Sequence, residues 1–216
     1  MSETATRRNR PYAARMAPAQ RREQLLDSVL DIITTDGVGA VSMDGVARHA
    51  GVSRPVVYGL FADADDLLRG SLNREERHAL AQLADALPLP AHDAAPPARG
   101  GLTAALTGLA DTFLRAIAEA PQRWRAIYLI SDSGTPALHK RVQRARAAVI
   151  GQVEQAMRAA DAVDPAADLD LLAHYLLAAF WDSGRLLLTD PGDYPHERLL
   201  DALRQLITAL LASAAE

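Results

Sequence analysis

The side chains best suited to specific polar contacts lie close together in the chain, between positions 42 and 58. Ser42 and Ser53 each precede a short helix-forming run, and Arg54 and Tyr58 lie about one helical turn apart in the second run. Ser42 and Ser53 are suited to capping these helices, because a serine hydroxyl accepts a first-turn backbone N–H. A short helix with small side chains can also enter the major groove of DNA, where its N-terminal residues reach the base edges.

The sequence lacks the motifs that would indicate catalysis or a metal. It contains no Gly-rich phosphate loop, no H-E-x-x-H zinc motif and no G-x-S-x-G nucleophile turn. It has no cysteine, which excludes disulfides, thiolate metal ligands and a cysteine nucleophile, and which fits a reducing compartment. We expect no catalytic residue, no metal and no cofactor. A helical enzyme remains the alternative from another functional class.

The charge of the chain is unevenly distributed. The formal net charge is −4, yet the first 22 residues contain six arginines and one glutamate, a local charge of +5. We interpret residues 1–19 as a basic flexible arm, followed by Arg21 and Arg22, and this arrangement suits contact with phosphates. A tail that only aids solubility explains the same arginines equally well.

Length and hydropathy predict a globular protein without a membrane-spanning segment. A chain of 216 residues buries roughly 70% of its unfolded surface, so neither metal nor disulfide is needed for folding. No apolar run follows the N-terminal arginines as in a secretory signal, and none reaches the ~18 residues of a membrane span. We therefore expect a cytoplasmic protein.

Hydrophobic spacing predicts an all-α fold with about nine helices. Apolar residues recur at offsets of three and four, and no alternating pattern long enough for a strand is present. Residues 88–101 contain four of the twelve prolines and a glycine pair, which predicts a mobile loop. The predicted helices are Gln20–Thr35, Met43–Ala50, Ser53–Tyr58, Asp63–Leu87, Leu102–Ala118, Gln122–Ser131, Pro136–Ala160, Pro165–Thr189 and Tyr194–Ala212.

Residues 41–67 predict a helix-turn-helix, with Gly51 in the tight turn between two short helices. Ser42 is predicted to cap the first helix and Ser53 the second, with Pro55 in a first turn where a missing N–H costs nothing. Val46, Ala47, Val52, Val57 and Phe61 are predicted to face the core, and Arg54, Val56, Tyr58 and Gly59 the outside.

The same stretch resembles the tetracycline-repressor-like (TetR) family of regulators. The resemblance covers residues 20–70 and rests on a first helix ending in D-G, then S-M-x-x-V-A-x-x-A-G-V-S-R, then V-Y-x-x-F, then an acidic pair with leucine. It implies that residues 53–60 are a recognition helix, the element that enters the major groove of DNA. The residues expected at DNA are Ser42, Met43, Ser53, Arg54, Pro55, Val56, Tyr58, Gly59, Arg21 and Arg22.

Two features depart from the family's pattern. The family commonly has a lysine that meets backbone phosphate where this chain has Ala64. It often carries larger polar or basic groups where this chain has Gly59 and Leu60. Both departures reduce the expected number of phosphate contacts, and contacts from the arginine arm in the minor groove would compensate.

The second half of the chain, residues 67–216, is interpreted as a ligand-binding and dimerisation domain that follows a helix-turn-helix domain at 20–66. Aromatic and polar residues interrupt its apolar helices, as expected for a mostly apolar pocket with a few polar groups. Ordinary core packing explains each of these residues taken singly. The predicted pocket residues are Trp124, Tyr128, Asp132, His174, Tyr175 and Trp181.

The helices at 166–189 and 194–212 are predicted to form a homodimer interface. The last helix has a doubled row of leucines, which is wider than packing within one subunit requires. In the family that the chain resembles, the last two helices pair with those of the partner. A two-fold dimer then presents two recognition helices about one DNA turn (~34 Å) or more apart.

These features together predict a repressor that a small-molecule ligand releases from a palindromic operator. The helix at 63–87 joins the two domains and is expected to transmit the change. Repression rather than activation is implied only by the resemblance. A regulator of the same type that responds to a protein partner or to its own level, without a small ligand, fits the sequence equally.

Overall fold

The computed structural model describes residues 16–83, 99–133, 136–160 and 167–213, and these residues form nine α-helices joined by turns, without a β-strand. The prediction of an all-α fold is therefore confirmed. The helices are α1 Pro18–Asp36, α2 Met43–His49, α3 Arg54–Tyr58, α4 Ala64–Leu83, α5 Arg99–Glu119, α6 Pro121–Asp132, α7 Pro136–Ala159, α8 Leu169–Thr189 and α9 His196–Ser213.

Two predicted flexible segments are shorter than expected where the structure describes them. α1 begins at Pro18, inside the predicted arm 1–19, because proline suits the first turn of a helix. α5 begins at Arg99, inside the predicted loop 88–101, because first-turn N–H groups lack an intrahelical partner in any case and glycines are tolerated there. Residues 1–15 and 84–98, which include the rest of both segments, lie outside the described residues.

The last two helices begin later than predicted. α8 begins at Leu169 rather than at 165, and Asp168 caps it by accepting the N–H of Leu171 at 3.1 Å. α9 begins at His196 rather than at 194, directly after Pro195. Residues 161–166 lie outside the described residues.

The N-terminal helices enclose a small core of their own. α1 packs against α2, the start of α4 packs against α1, and α2 packs against α3. Gly51 adopts φ +66° between α2 and α3, a backbone conformation that favours glycine. The core predicted for the helix-turn-helix is confirmed by four buried residues and one half-buried residue: Val46, Ala47, Val57 and Phe61, with Val52 at the edge.

The C-terminal helices form the larger core, with α5 packed against α8 and α9 and with α7 packed against α8. The buried row of α9 begins at Leu199 and Leu203 and continues at Ile207 and Leu211. Leu206 on the same helix is 36% exposed. The row that faces α5 therefore steps by four residues throughout, and Leu206 is left on an outer side of the helix.

α4 and α6 join the two cores. On α6, Ala126 and Ile130 pack into the N-terminal core, whereas Trp124 and Ile127 pack into the C-terminal core. On α4, residues as far as Leu72 belong to the N-terminal core, so the predicted division between residues 66 and 67 falls within a shared helix. Each of these two helices therefore contacts both halves of the molecule.

An ion-pair network with a buried centre, Arg74 and Glu75, connects α1, α4 and α6. The side chain of Arg74 is 6% exposed; its Nε donates to Glu75 Oε1 at 2.6 Å and its Nη1 to Asp27 Oδ1 at 2.7 Å. Arg123 Nε donates to the other oxygen of Glu75 at 2.9 Å. Desolvation lowers the pKa of Arg74, but the charge of Glu75 and the hydrogen bonds to Glu75 and Asp27 raise that pKa overall. Each buried charge therefore depends on its partners.

Candidate nucleic-acid interface and ligand cavity

α3 presents most of its side chains outward from the N-terminal domain. Val57 is fully buried and anchors the helix, whereas Tyr58 is 57% exposed. Arg54 and Gly59 are also exposed, and Val56 is half-buried. A five-residue helix anchored through one residue leaves the rest of its surface free, and this surface is narrow enough for a ~12 Å major groove.

The two serines at the starts of α2 and α3 behave differently. Ser42 Oγ accepts the N–H of Gly45 at 3.0 Å, so the prediction that it caps α2 is confirmed. Ser53 takes the capping position of α3, but its hydroxyl forms no capping hydrogen bond, so that part of the prediction is wrong. The reason is local: Pro55 has no N–H, and the N–H of Val56 donates to the carbonyl of Ser53. The exposed hydroxyl of Ser53 has no partner in the described part of the chain.

Met43 does not belong to the outward surface. Its side chain is 7% exposed and packs in the N-terminal core, so the prediction that it contacts DNA is corrected. Arg48, in the last turn of the same helix, is exposed and forms no ion pair with any described residue. Our sequence reasoning missed this arginine because it occupies an unspecified position of the V-A-x-x-A motif.

Arg54, the first residue of α3, is paired with a carboxylate on α2. Its Nη2 lies 2.6 Å from Asp44 Oδ2, and the two side chains are 68% and 45% exposed. Exposed pairs of this kind contribute little to stability, on the order of 0–1 kcal/mol. Asp44 instead orients the guanidinium and places a negative charge beside α3.

The two arginines of α1 have partners within the chain. Arg22 lies with its guanidinium carbon 4.8 Å from the centre of the Phe61 ring, a cation–π contact that helps attach α1 to the segment after α3. Arg21 donates to Gln24 on the same helix. Both side chains are half-buried, and Arg22 lies against the segment that follows α3.

A cavity of about 100 Å³ lies among α4, α5, α6, α7 and α8. Its wall is apolar for the most part, with Leu109 and Phe113 from α5, Phe180 from α8 and the two tryptophans of the chain, Trp124 and Trp181. The Phe113 and Trp124 rings meet edge to face, with centres 5.1 Å apart. A compact apolar molecule fits a space of this size and lining.

Two charged residues interrupt the apolar wall. Glu76 is paired with Arg141, which ties α4 to α7 beside the cavity. Arg146 lies with its guanidinium carbon 4.7 Å from the centre of the Trp181 ring, and it forms no ion pair with any described residue. Desolvation lowers the pKa of Arg146, partly offset by Tyr128, although a guanidinium remains charged at neutral pH.

Tyr128 forms a second layer behind the wall. Its ring packs on Trp181 with centres 4.3 Å apart, and its Oη donates to the carbonyl oxygen of Trp181 at 2.6 Å. Burial raises the pKa of the Tyr128 phenol, so the group stays a hydrogen-bond donor. Gly184 provides the space for this contact, because a Cβ there would lie 2.5 Å from Tyr128 Oη and would overlap Ile117.

The structure brings together three of the six residues predicted for the pocket. Trp124 and Trp181 line the cavity, and Tyr128 packs directly behind them. Asp132 does not line it: the residue ends α6 and binds Arg185 at the surface, at 2.8 Å and 3.4 Å.

The other two predicted pocket residues lie on the surface of α8. His174 is exposed, and its Nδ1 is 2.9 Å from the carbonyl oxygen of Asp170 on its own helix. It shares a helical face with Trp181, but the seven intervening steps place it about 10 Å along the axis, beyond the cavity. Tyr175 is 57% exposed and faces away from the cavity. Both pocket predictions are therefore corrected.

With Glu76, Arg146 is one of the two charged cavity residues that our sequence reasoning missed. It lies four residues after Val142 and three before Val149, within the apolar row of α7, and all three residues line the cavity. A cation inside an apolar helical row is unusual because burying an unpaired charge is costly. That irregularity distinguishes Arg146 from the exposed arginine Arg144 of the same helix.

Within the described part of the chain, no helix combines the length and apolar character that crossing a membrane requires. The same residues contain no group of three or more histidine, aspartate or glutamate side chains placed to hold a metal ion.

The fold and the exposed α3 define a helix-turn-helix protein with a helical C-terminal domain. Residues 25–70 match the family described as "Bacterial regulatory proteins, tetR family", and residues 102–211 match "Tetracyclin repressor-like, C-terminal domain". The chain therefore belongs to the TetR family of DNA-binding transcriptional regulators. No curated protein matches the sequence at a significant level.

Solved structures have the same fold at low sequence identity. A TetR-like transcriptional regulator from Rhodococcus sp. RHA1 is 23% identical, with a TM-score of 0.74 over 92% of this chain and 99% of the other. The fatty acid degradation regulator FadR from Bacillus halodurans is 14% identical, with a TM-score of 0.66 over 90% and 96%. SmeT, solved as a complex with triclosan, is 17% identical, with a TM-score of 0.67 over 88% and 90%.

Proposed function

We propose that the protein is a homodimeric repressor that binds a palindromic operator through α3 and is released when a small molecule occupies the cavity. The observation on which the proposal rests most is the outward surface of α3, with Tyr58 57% exposed on a helix that Val57 anchors in the core. A rigid, protruding short helix is the form in which helix-turn-helix proteins approach base edges.

The proposed DNA contacts are made to base edges and to phosphate oxygens. Arg54 reaches base edges or phosphate, and Tyr58 and Ser53 donate to phosphate oxygens. Arg48 adds a positive charge from α2 that no described residue pairs with. Ser42 is occupied as a helix cap, so any contact with phosphate is additional to that role. The remaining residues of the proposed surface are Pro55, Val56 and Gly59, with Arg21 and Arg22 at its edge.

The proposed dimer interface uses α8 and α9. Leu171 is 42% exposed and Tyr175 57% exposed on α8, and Leu206 is 36% exposed on α9. Large apolar side chains left uncovered on two adjacent helices favour contact with a second copy. A dimer matters for function because one recognition helix has modest affinity, whereas two helices bind both halves of a palindrome.

Residues shared by the cavity and the N-terminal core support coupling between ligand and DNA. Leu72 on α4 and Val142 on α7 line the cavity and also belong to the N-terminal core. α6 contacts both the cavity and the N-terminal core, the cavity through Trp124 and the core through Ala126. A ligand that binds one arrangement of α4, α6 and α7 more tightly than another shifts the protein towards that arrangement. The shift changes the distance between the two α3 helices of the dimer.

We expect no catalytic activity, since members of this family regulate transcription, and we propose that the protein acts in the cytoplasm, where the DNA is. The test is a fluorescence anisotropy titration of the purified dimer with DNA from beside its own gene. Nanomolar binding that a cavity ligand weakens at least tenfold supports the proposal. Specific DNA binding that no cavity ligand changes favours a regulator without a small-molecule effector.

A further inference from the structure

The inner surface of the cavity among α4, α5, α6, α7 and α8 is wholly apolar. Of the residues that the structure describes, none exposes a nitrogen or an oxygen atom to this space. A polar ligand group that leaves water needs a hydrogen-bond partner in the protein, and this surface offers none. The surface therefore restricts the chemistry of the ligand. This inference rests on the proposed function of the cavity as an effector site.

Two charged side chains belong to the wall, but only their hydrocarbon stems face the cavity. The carboxylate of Glu76 is paired with Arg141 on α7. The guanidinium of Arg146 lies 4.7 Å from the centre of the Trp181 ring. Long charged side chains often cover apolar surface in this way, with the stem packed and the charged end directed elsewhere. The two charges therefore form neither an anion site nor a cation site on the cavity.

The polar groups of the neighbouring aromatic residues are also unavailable to a ligand. Tyr128 lies behind Trp181, and its Oη donates to the carbonyl oxygen of Trp181 at 2.6 Å. The indole nitrogen of Trp124 is buried and is not part of the cavity surface. An alcohol, an amide or an acid inside the cavity would thus leave its own polar group without a partner.

The size of the cavity and the rings in its wall narrow the ligand further. The volume is about 100 Å³, and an engineered apolar cavity of ~150 Å³ holds benzene. Four aromatic residues line the space, and aromatic rings gain from edge-to-face and offset contacts with one another. They are Phe113, Trp124, Phe180 and Trp181. One small ring fits these limits, whereas a long acyl chain does not.

We propose that the effector is an uncharged hydrocarbon of about one ring, such as an alkylbenzene, without a hydroxyl, amide or carboxyl group. Its burial removes apolar surface from water, and no polar group has to be desolvated. A polar group on the same ring would lack a partner inside the cavity, which lowers affinity by about ten- to hundredfold. The cavity therefore selects a hydrocarbon over its oxidised derivatives.

The test measures the tryptophan fluorescence of the full-length protein, because both tryptophans of the chain line the cavity and report binding without DNA. Excitation at the long-wavelength edge of the tryptophan band avoids absorption by the ligands. Toluene is titrated in sealed cuvettes against phenol, in which a hydroxyl replaces the methyl group, and against benzoate and benzylamine. We expect toluene to bind at least tenfold more tightly than phenol and far more tightly than either ion.

A variant that fills the cavity tests where toluene binds. Ala145 lines the cavity, so the larger side chain of Ala145→Leu takes up space and should weaken toluene binding at least tenfold. Ala148→Leu is the matched control, because it makes the same change at an exposed position of α7, and it should leave the affinity unchanged. Circular dichroism melting shows whether both variants fold. If Ala145→Leu proves unfolded, the ratio of toluene to phenol affinity in wild type decides the question.

The proposal is overturned if phenol or either ion binds wild type as tightly as toluene, or if toluene does not bind below its solubility limit. Equal toluene affinities of the two folded variants would also overturn it.

Anisotropy with operator DNA is measured separately on the same samples. Toluene that binds the cavity but does not weaken DNA binding contradicts ligand-controlled repression and leaves the hydrocarbon site standing. Release of DNA by phenol or benzoate but not by toluene supports ligand-controlled repression and contradicts a hydrocarbon effector.

Discussion

Asp44 holds Arg54 across the turn of the helix-turn-helix, with Asp44 Oδ2 2.6 Å from Arg54 Nη2. The first residue of the proposed recognition helix is therefore oriented by a carboxylate from the helix before it. Because both side chains are largely exposed, the pair stabilises the fold little, and its effect is on the charge and direction of the contact surface. The same carboxylate that positions the arginine also repels phosphate.

The first prediction concerns this carboxylate. Asp44→Asn should raise affinity for all DNA several-fold, because it removes a negative charge from a surface that meets phosphates. It should reduce the ratio of specific to non-specific affinity, because Arg54 loses its fixed direction. Anisotropy titrations with operator and scrambled duplexes measure both. Glu197→Gln, which removes an exposed carboxylate from α9, is the control and should change neither.

The second prediction concerns Arg54 itself. Arg54→Ala should weaken operator binding by about ten- to hundredfold, the range for one lost base-edge contact. Arg115→Ala is a closely matched control, because Arg115 is 64% exposed and is also paired with an aspartate. Equal affinities of the two variants for operator DNA would mean that Arg54 does not contact the DNA.

The third prediction tests the proposed dimer. Tyr175→Glu places a charge on the exposed apolar side of α8 and should convert the dimer into monomers, with operator affinity falling at least tenfold. Leu129→Glu on α6, where the leucine is 41% exposed, should remain dimeric. Sedimentation velocity at micromolar concentration distinguishes the two. A dimeric Tyr175→Glu protein would place the interface elsewhere.

The fourth prediction concerns glycines. Gly184→Ala should lower the free energy of unfolding by about 1–3 kcal/mol, because its Cβ would lie 2.5 Å from Tyr128 Oη and would overlap Ile117. Gly108→Ala in α5 meets nothing within 4 Å and should raise the free energy of unfolding by up to about 1 kcal/mol. Urea denaturation measures both variants. Changes of the same sign in the two would contradict the packing around Tyr128.

The fifth prediction concerns the buried ion pairs. Glu75→Gln leaves Arg74 and Arg123 with one fewer charged partner each and should lower the free energy of unfolding by about 2–4 kcal/mol. Glu154→Gln breaks an ion pair with Arg158 along α7, whose arginine is 66% exposed, and should cost less than about 1 kcal/mol. If chemical denaturation gives similar losses for both, the network does not join α1, α4 and α6 as described.

Local patterns made the N-terminal domain predictable from sequence. The turn glycine Gly51 and the buried Val57 and Phe61 have types and spacings that few other folds require, and all three lie where predicted. The hydroxyl of Ser53 was mispredicted because capping depends on which backbone N–H groups remain free, and Pro55 removes one of them. Met43 was mispredicted because a first-turn position does not by itself tell which way the side chain faces.

The cavity was only half predictable, because its wall comes from five helices that are distant in the chain. Trp124 and Trp181 were identified by residue type alone. His174 was predicted together with the tryptophans because it lies on the same face of α8 as Trp181. Helical periodicity identifies the face of a helix, but it does not tell how far along the helix the cavity extends. Arg146 was overlooked because its environment depends on Trp181, 35 residues further along the chain.

Hydroxyl-radical footprinting on the DNA beside its own gene tests most directly whether α3 binds DNA twice per assembly. We predict two protected patches, centred about 10 base pairs or a multiple of that apart, and both should disappear with Arg54→Ala and persist with Arg115→Ala. A single patch, or protection that is unchanged in Arg54→Ala, would contradict the account.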